Sequence, residues 1–393
     1  MSTTETLFNQ IDSLYEEMVT IRRHFHENPE LSFEEVETPK FIANYLTELG
    51  IEVETGVGGR GVIGRIYGGH PGKTVALRAD FDALAIQDEK DVPYRSKAAG
   101  KMHACGHDGH TATLLAVAKV LQEHRADLKG NVVLIHQFAE ELAPGGAKPM
   151  IEAGCLEGVD AVFGTHLWSM TPYGTIGWAP GPSMAAADRF AIKINGRGGH
   201  GASPHETIDS LYLATQVVSQ FQSIVSRRID PLQPAVLTVA TFKSGSAFNV
   251  IPDSAEIGGT VRTFDTGVQD QIIEEMDRII KGVCEGSGAT YEFDFFKGYP
   301  AVINHEKDAH LVAAAARKVV GNEQVVQMPP IMGGEDFSYF LLERPGAFFF
   351  TGAGNPEVGA EYPHHHPKFD FDERAMKDAA KVLIQVTLDY LEA

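Results

Sequence analysis

The run Asn131-Val132-Val133-Leu134-Ile135-His136-Gln137-Phe138 gives way at once to Ala139-Glu140-Glu141. Its apolar residues are consecutive, not alternating, so both faces of the strand they form need cover, as in a parallel sheet flanked by helices. Two acids stand where the strand stops, and in an α/β sheet the ends of strands are where ligands bind. Working outward, Ala161–His166 and Thr74–Arg78 read as further buried strands, the first ending on His166 and the second running into Asp80 and Asp82; Gly61–Tyr67 is a fourth. Helical spacing predicts helices over 7–26, 34–49, 110–124, 308–319 and 373–391, and Ala347–Thr351 is one more apolar strand.

The pattern changes between 187 and 297. Strand 188–194, helix 206–226, strands 235–242 and 255–263, helix 267–285 and strand 289–296 follow one another as βαββαβ, the order of a ferredoxin-like unit. The fold class expected is therefore α/β: a catalytic domain over 1–186 and 298–393 built on a central, mostly parallel sheet, with an inserted α+β ferredoxin-like domain over 187–297. A chain of 393 residues accommodates two such cores.

Composition narrows the function. Against 33 basic residues stand 53 acidic ones, a formal charge of −20; such a surface repels phosphate backbones, which excludes nucleic acid as the expected partner. Three scattered cysteines make no disulfide framework and point to a reducing compartment. The N-terminus has no basic-then-apolar leader, and no apolar run reaches the roughly 20 residues that span a bilayer. The expected location is the cytoplasm, with no membrane partner.

The sixteen histidines fall in clusters. His103-Ala104-Cys105-Gly106-His107-Asp108-Gly109-His110 places three histidines and a thiol in eight positions before a helix. Thiolate and imidazole at i and i+2 can turn onto one ion, and the helix start favours the thiolate. Glu140 and Glu141 divide the work that amide hydrolysis on a metal needs: if the strand persists they point apart, one to bind metal and one to act as general base. Asp80 and Asp82, at i and i+2 and so on one face, suit a carboxylate that orients a ligand histidine. In His364-His365-His366-Pro367 only one face can look at a metal. The inserted segment adds His200 within Gly198-Gly199-His200-Gly201, Asn249 and Arg262, donors that suit an oxyanion and a carboxylate. Gly56-x-Gly58-x-x-Gly61 and Gly196-x-Gly198-x-x-Gly201 imitate a dinucleotide fingerprint. A strand follows the first, and no acid ends the strand after the second, so neither is read as a nucleotide site.

Arg23-His24-x-His26-x-Asn28-Pro29-Glu30, Leu77-Arg78-Ala79-Asp80-x-Asp82-Ala83-Leu84, the Cys105/His107 segment, Glu140-Glu141, Gly198-Gly199-His200-Gly201, Asn249-Val250-Ile251-Pro252 and Gly333-Gly334-Glu335-Asp336-Phe337 together cover nearly the whole chain. With these the chain resembles the aminoacylase, hippurate hydrolase and auxin-conjugate amidohydrolase branch of the co-catalytic zinc peptidases, a group that includes glutamate carboxypeptidases. The resemblance implies a divalent metal centre, two ions per subunit, with zinc or manganese expected and cobalt or nickel compatible. It implies the ligands Cys105, His107, Glu141, His166 and His365, the last because the family pattern reads His-x-Pro. Glu140 becomes the general base, Asp82 the carboxylate behind a ligand, His200 the oxyanion donor, and Asn249 and Arg262 the contacts to a substrate carboxylate. The inserted domain becomes a lid and dimerisation domain, and the protein a homodimer or homotetramer. The reaction implied is hydrolysis of N-acyl-L-amino acids, acetyl- or benzoyl-type. A dipeptidase or carboxypeptidase on the same metal site is the alternative, and a non-catalytic metal-binding protein is disfavoured because the base is present. Phe138, where relatives often carry proline, and Asp80, where distant ones carry a histidine ligand, depart from the pattern.

Overall fold

The computed structural model describes residues 3–393, which divide into two compact units. The first comprises the chain up to Ser183, then Ile303–Pro330 and Asp336–Ala393. Its core is an eight-stranded sheet. Strands β1 (Glu52–Val57), β2 (Gly61–Tyr67), β3 (His70–Asp80), β4 (Lys129–Gln137) and β5 (Ala161–Pro172) lie in the order β1-β2-β4-β3-β5, followed by Gly346–Gly354, Ile176–Trp178 and Val325–Gln327. The four central strands, β4, β3, β5 and Gly346–Gly354, are mutually parallel. They are the consecutive apolar runs of the sequence and are buried along most of their length, β3 and β4 emerging at their starts and β5 at its end. β1 and Ile176–Trp178 pair antiparallel toward the edges. Both they and Val325–Gln327 escape the hydrophobic pattern, β1 because it is largely exposed and the other two because they have three residues each.

Register brings the chemistry to one end of this sheet. Asp80 pairs with Gln137, the last residue of β4, and Arg78 pairs with Gly164, two residues before His166. The next helix, α4 (His107–Glu123), is buried along almost its whole length, packed on the sheet, on α2 (Tyr15–Glu27) and on Ala375–Glu392.

Several helix boundaries differ from expectation, among them the starts at His107 and Ser210, and two of the differences have a visible cause. The helix anticipated over 7–26 is broken at Leu14 into α1 (Thr3–Ser13) and α2. The Ser13 hydroxyl bonds back to the Gln10 carbonyl at 2.7 Å, a side-chain competitor for the helical ladder. The helix anticipated from 34 begins three residues later, as α3 (Glu37–Glu48), because the Glu30 carboxylate caps it from outside, accepting from the N–H groups of Glu37 and Thr38 at 3.0 and 2.8 Å. Among the described residues no helix is long and apolar enough to cross a membrane.

The second unit comprises Met184–Val302 and Ile331–Glu335. Strands Ala186–Asn195, Ala235–Ser244, Ser254–Thr263 and Thr290–Tyr299, with helices Ser210–Arg227 and Thr266–Glu285, run βαββαβ. The all-antiparallel sheet has Ser254–Thr263 and Ala186–Asn195 in the middle and the other two at the edges, which is the ferredoxin-like arrangement. Ile192, Ile194, Val217, Phe221, Ile272, Met276 and Ile280 fill the layer between sheet and helices. Asp209 and Asp265 cap the helices by accepting from Tyr212 and Val268 N–H at 3.0 Å each.

Candidate active site and metal centre

Gly106, in the left-handed region at φ 91°, turns the chain into α4 so that His107 opens the helix and Cys105 sits just outside it. The ligand atoms of Cys105, His107 and Glu141 all lie within 4.8 Å of one another. His166 Nε2 approaches Cys105 Sγ at 3.5 Å, and His365 Nε2 approaches Glu141 Oε2 at 3.4 Å. The five residues expected as ligands are thus brought together in the first unit. His364 is there as well, grouped with Cys105 and His166, stacked on Trp168 and accepting from Ser169 N–H at 3.2 Å. His366 turns away onto Tyr362.

The tautomers follow from the acceptors. His107 Nδ1 faces the Asp82 carbonyl at 3.0 Å and its carboxylate at 3.2 Å, so Nδ1 carries the proton and the Nε2 lone pair points at the cluster. His166 Nδ1 faces the Leu167 carbonyl at 2.9 Å with the same result. Burial, helped by neighbouring histidines, holds His166 well below the usual imidazole range, which leaves it a neutral ligand. Burial opposes charge on His107 too, but Asp80, Asp82 and Glu141 outweigh it and push that ring up to about 10. The helix start was expected to favour a Cys105 thiolate. Instead burial, followed by the charges of Glu141 and Glu140, pushes the thiol up.

These features fit a divalent cation. His107 Nε2 and Glu141 Oε1 are buried without a hydrogen-bond partner, a state that buried polar atoms avoid. An ion between them would satisfy both, and its charge would reverse the local logic that keeps thiol and imidazole protonated.

Glu140 and Glu141 lie beyond the strand, so the condition under which alternation would part them is not met. β4 ends at Gln137, and Ala139 is in the left-handed region at φ 49°. After that turn Glu141 faces both His365 and His107, at 3.4 and 3.7 Å, while Glu140 Oε2 lies 3.9 Å from His107 Nε2. Asp82 holds both sides of the cluster, accepting from His107 and from Glu141 N–H at 3.0 Å, with the Ser32 hydroxyl donating to it at 2.6 Å. Phe138, where the sequence departs from the family pattern, packs edge-on against Phe33.

Beneath the candidate ligands lies a further layer, of which sequence reasoning singles out only Asp80 as a carboxylate that orients a histidine. Asp80 accepts from Arg78 at 2.7 Å and from His110 Nδ1 at 2.6 Å, while His110 Nε2 accepts from Leu167 N–H. Arg78 also reaches Asp336 at 3.0 Å and Gln137 at 2.8 Å. Asp336 lies in the Gly333–Phe337 motif, and burial pushes its carboxyl up to about 6 despite Arg78 and Gln137. On the other side of α4, Arg22 is fully buried and pairs with Asp108 at 2.9 Å and Asp370 at 2.7 Å. His26 bonds the same Asp108 at 2.7 Å. These contacts connect the Arg23–Glu30 motif to the first turn of the ligand-bearing helix.

In the second unit, His200 and Val250 pair in a two-residue ladder, and Gly201 N–H donates to the Asn249 carbonyl at 2.8 Å. This sets His200 beside Asn249, both exposed. Ala202 N–H donates to His200 Nδ1 at 3.1 Å, so the proton sits on Nε2, facing outward as a donor. Arg262 is half-buried on the central strand Ser254–Thr263; burial lowers its pKa and Asp188 opposes that shift.

Comparison with known proteins adds a family to this geometry. The model of peptidase family M20/M25/M40 matches residues 76–389. The chain belongs to that family. YhaA of Bacillus subtilis, which carries the name of an amidohydrolase, is 55% identical over 381 residues, 97% of this chain and 96% of that one. The N-acyl-L-amino acid amidohydrolase of Geobacillus stearothermophilus is 48% identical over 305 residues, 78% and 82% of the respective chains. Among solved structures, the YxeP protein of Bacillus subtilis, described as a dinuclear metal-binding M20 peptidase, superposes with a TM-score of 0.85 at 39% identity, covering 97% of this chain and 99% of that one. This M20 protein is accordingly a metal-dependent enzyme that hydrolyses amide bonds.

Proposed function

We propose that this M20 enzyme hydrolyses the amide bond of N-acyl-L-amino acids, acetyl- or benzoyl-type, giving a carboxylic acid and a free amino acid. The observation that carries the reading is a pair of adjacent carboxylates at the cluster, both within 4 Å of His107, with only Glu141 also facing His365. We assign Cys105, His107, Glu141, His166 and His365 as the ligands. A divalent cation held there, zinc or manganese, supplies the charge that polarises the scissile carbonyl and acidifies the attacking water.

The chain's own residues supply the rest. Glu140 takes the water's proton and delivers it to the departing amine nitrogen, so one carboxylate acts first as base and then as acid. Asp82 fixes the His107 tautomer and the Glu141 backbone. His200, with its proton on Nε2, is assigned to the tetrahedral oxyanion, where one donor is typically worth about 3 kcal/mol. Asn249 and Arg262 are assigned to the α-carboxylate of the amino acid half. The name of the Geobacillus stearothermophilus relative supports the substrate class. Three buried free cysteines support a cytoplasmic location. Exposed Leu232, Phe242 and Phe248 on the second unit support a homodimer through that unit.

The test is release of free amino acid from N-acetyl-methionine, hippurate and a dipeptide panel, by chelated protein and after zinc or manganese is restored. Metal-restored release from the acyl amino acids is expected. Release from dipeptides alone would replace the reading with a dipeptidase, and none from metal-loaded protein would make it a binding protein.

A further inference from the structure

The segment Glu30–Glu35 runs like a strap beneath the site. The Ala83 N–H donates to the Glu30 carbonyl at 2.8 Å, and Leu31 bridges Ala83. Ser32 bonds Asp82, and Phe33 meets Phe138 edge-on with centroids 5.8 Å apart. Downstream the strap is held by the Glu30 carboxylate on the start of α3. Its last member, Glu35, is fully buried, although carboxylates are rarely buried without a cation or full hydrogen bonding. One oxygen, Oε1, accepts from Ala139 N–H at 2.9 Å. The other has no hydrogen-bond partner and lies 3.8 Å from Arg60 Nε.

Ala139 is where that bond matters. At φ 49° it occupies a conformation that disfavours a residue with a Cβ, one step before Glu140. Its two backbone groups are both used, the N–H by Glu35 and the carbonyl by Gly146 N–H at 3.1 Å. Two residues on, Glu141 N–H is held by Asp82. Glu140 is therefore suspended between two anchors, Glu35 on the residue before it and Asp82 on the residue after it. Strained backbone at a site persists only where its surroundings enforce it, and Glu35 is the side chain placed to enforce this one.

We infer that Glu35 is a positioning residue for hydrolysis, acting through the Ala139 backbone to aim Glu140 without touching the reacting atoms. The inference rests on Glu140 being the general base. Since Glu141 has its own anchor, loss of Glu35 is predicted to disturb Glu140 and spare metal binding. Burial pushes the Glu35 carboxyl up to about 8, so a neutral amide that still accepts at Oε1 is a fair substitute.

The experiment measures kcat, KM, bound metal and thermal unfolding on the full-length, metal-loaded protein for Glu35→Ala, Glu35→Gln and the double variant Glu35→Ala/Ala139→Gly, with Glu140→Gln as control. For Glu35→Ala, kcat should fall on the order of 10- to 100-fold, the scale of a misplaced catalytic group, with KM and metal content near the parent's. Glu35→Gln should restore most of that loss. So should Ala139→Gly in the alanine background, because glycine adopts the left-handed turn unaided. A parental kcat in Glu35→Ala overturns the inference. A loss that follows metal loss or unfolding, or Glu35→Gln as impaired as the alanine variant, also overturns it. Should Glu140→Gln remain active, the assigned base is wrong and the inference falls with it; an inactive Glu140→Gln beside a fully active Glu35→Ala leaves the base standing and sinks the inference alone.

Discussion

Replacing Asp82 by alanine removes a carboxylate that makes contacts of different worth. The Ser32 bond lies toward the periphery of the cluster and matters least. The bond from Glu141 N–H fixes the backbone of one proposed ligand, and the bond from His107 Nδ1 fixes the tautomer of another. The His107 proton does not lose its only acceptor, because the Asp82 main-chain carbonyl also faces it, at 3.0 Å, and alanine keeps that group. Removing the outer partner of a ligand typically costs 10–100-fold in metal affinity. With the carbonyl retained, the expected loss is near the lower end, about tenfold or roughly 1.4 kcal/mol. Competition against a chelator of known affinity, with free zinc buffered, measures it directly, and saturating metal should recover most of the turnover. Unchanged affinity would refute the reasoning. A loss beyond about a thousandfold would refute it differently, since that size belongs to a ligand and not to its support.

Arg22→Leu should destabilise the fold by about 3–5 kcal/mol in urea unfolding, because Asp108 and Asp370 then stay buried without the guanidinium they share, left with His26 and Lys90 respectively; a loss below about 1 kcal/mol would show that those partners or water suffice. Gly109→Ala places a methyl 2.5 Å from Phe371 Cζ and 2.6 Å from Leu167 Cδ1. The expected cost is about 1–3 kcal/mol of stability, together with weaker metal binding as His166 shifts with Leu167. Asp378 is pushed up from 3.8 to about 6, first by burial and then by Asp12 and Asp372 against Lys381 and Lys377. Its folded value lies above its unfolded one, so stability falls as pH rises from about 4 to 6. Asp378→Asn should therefore flatten that decline and raise stability above pH 6, with a ceiling of about 3 kcal/mol that partial exposure lowers. Parallel stability–pH curves for the two proteins would contradict this.

The central sheet was readable because its strands are apolar on both faces and run into acids or a histidine; Val132–Ile135 is strand-like whatever surrounds it. The grouping of candidate ligands was legible because its members are crowded in sequence, as at Cys105–His107, or lie on the buried strands, as His166 does within β5, which runs on to Pro172 instead of ending at the histidine. The support was hidden for the same physical reason in each case. Glu35, Arg78 and Asp336 act over 104, 59 and 199 residues of chain, on Ala139, Gln137 and Gln137 respectively, and nothing local distinguishes a carboxylate that will accept a distant N–H from one that will face water. The break at Leu14 depends on a single hydroxyl turning back on its own helix, which hydrophobic spacing does not register. The directions of Glu140 and Glu141 could not be read from strand alternation, which applies only if the strand persists; it ends at Gln137, and the left-handed Ala139 follows.

Glu140→Gln tests the account most directly, with bound metal and turnover of an N-acyl amino acid measured on the same preparation. The account predicts parental metal content and turnover reduced by at least about a hundredfold, the scale of a general base. Substantial turnover with metal bound would contradict it and remove Glu140 as the base.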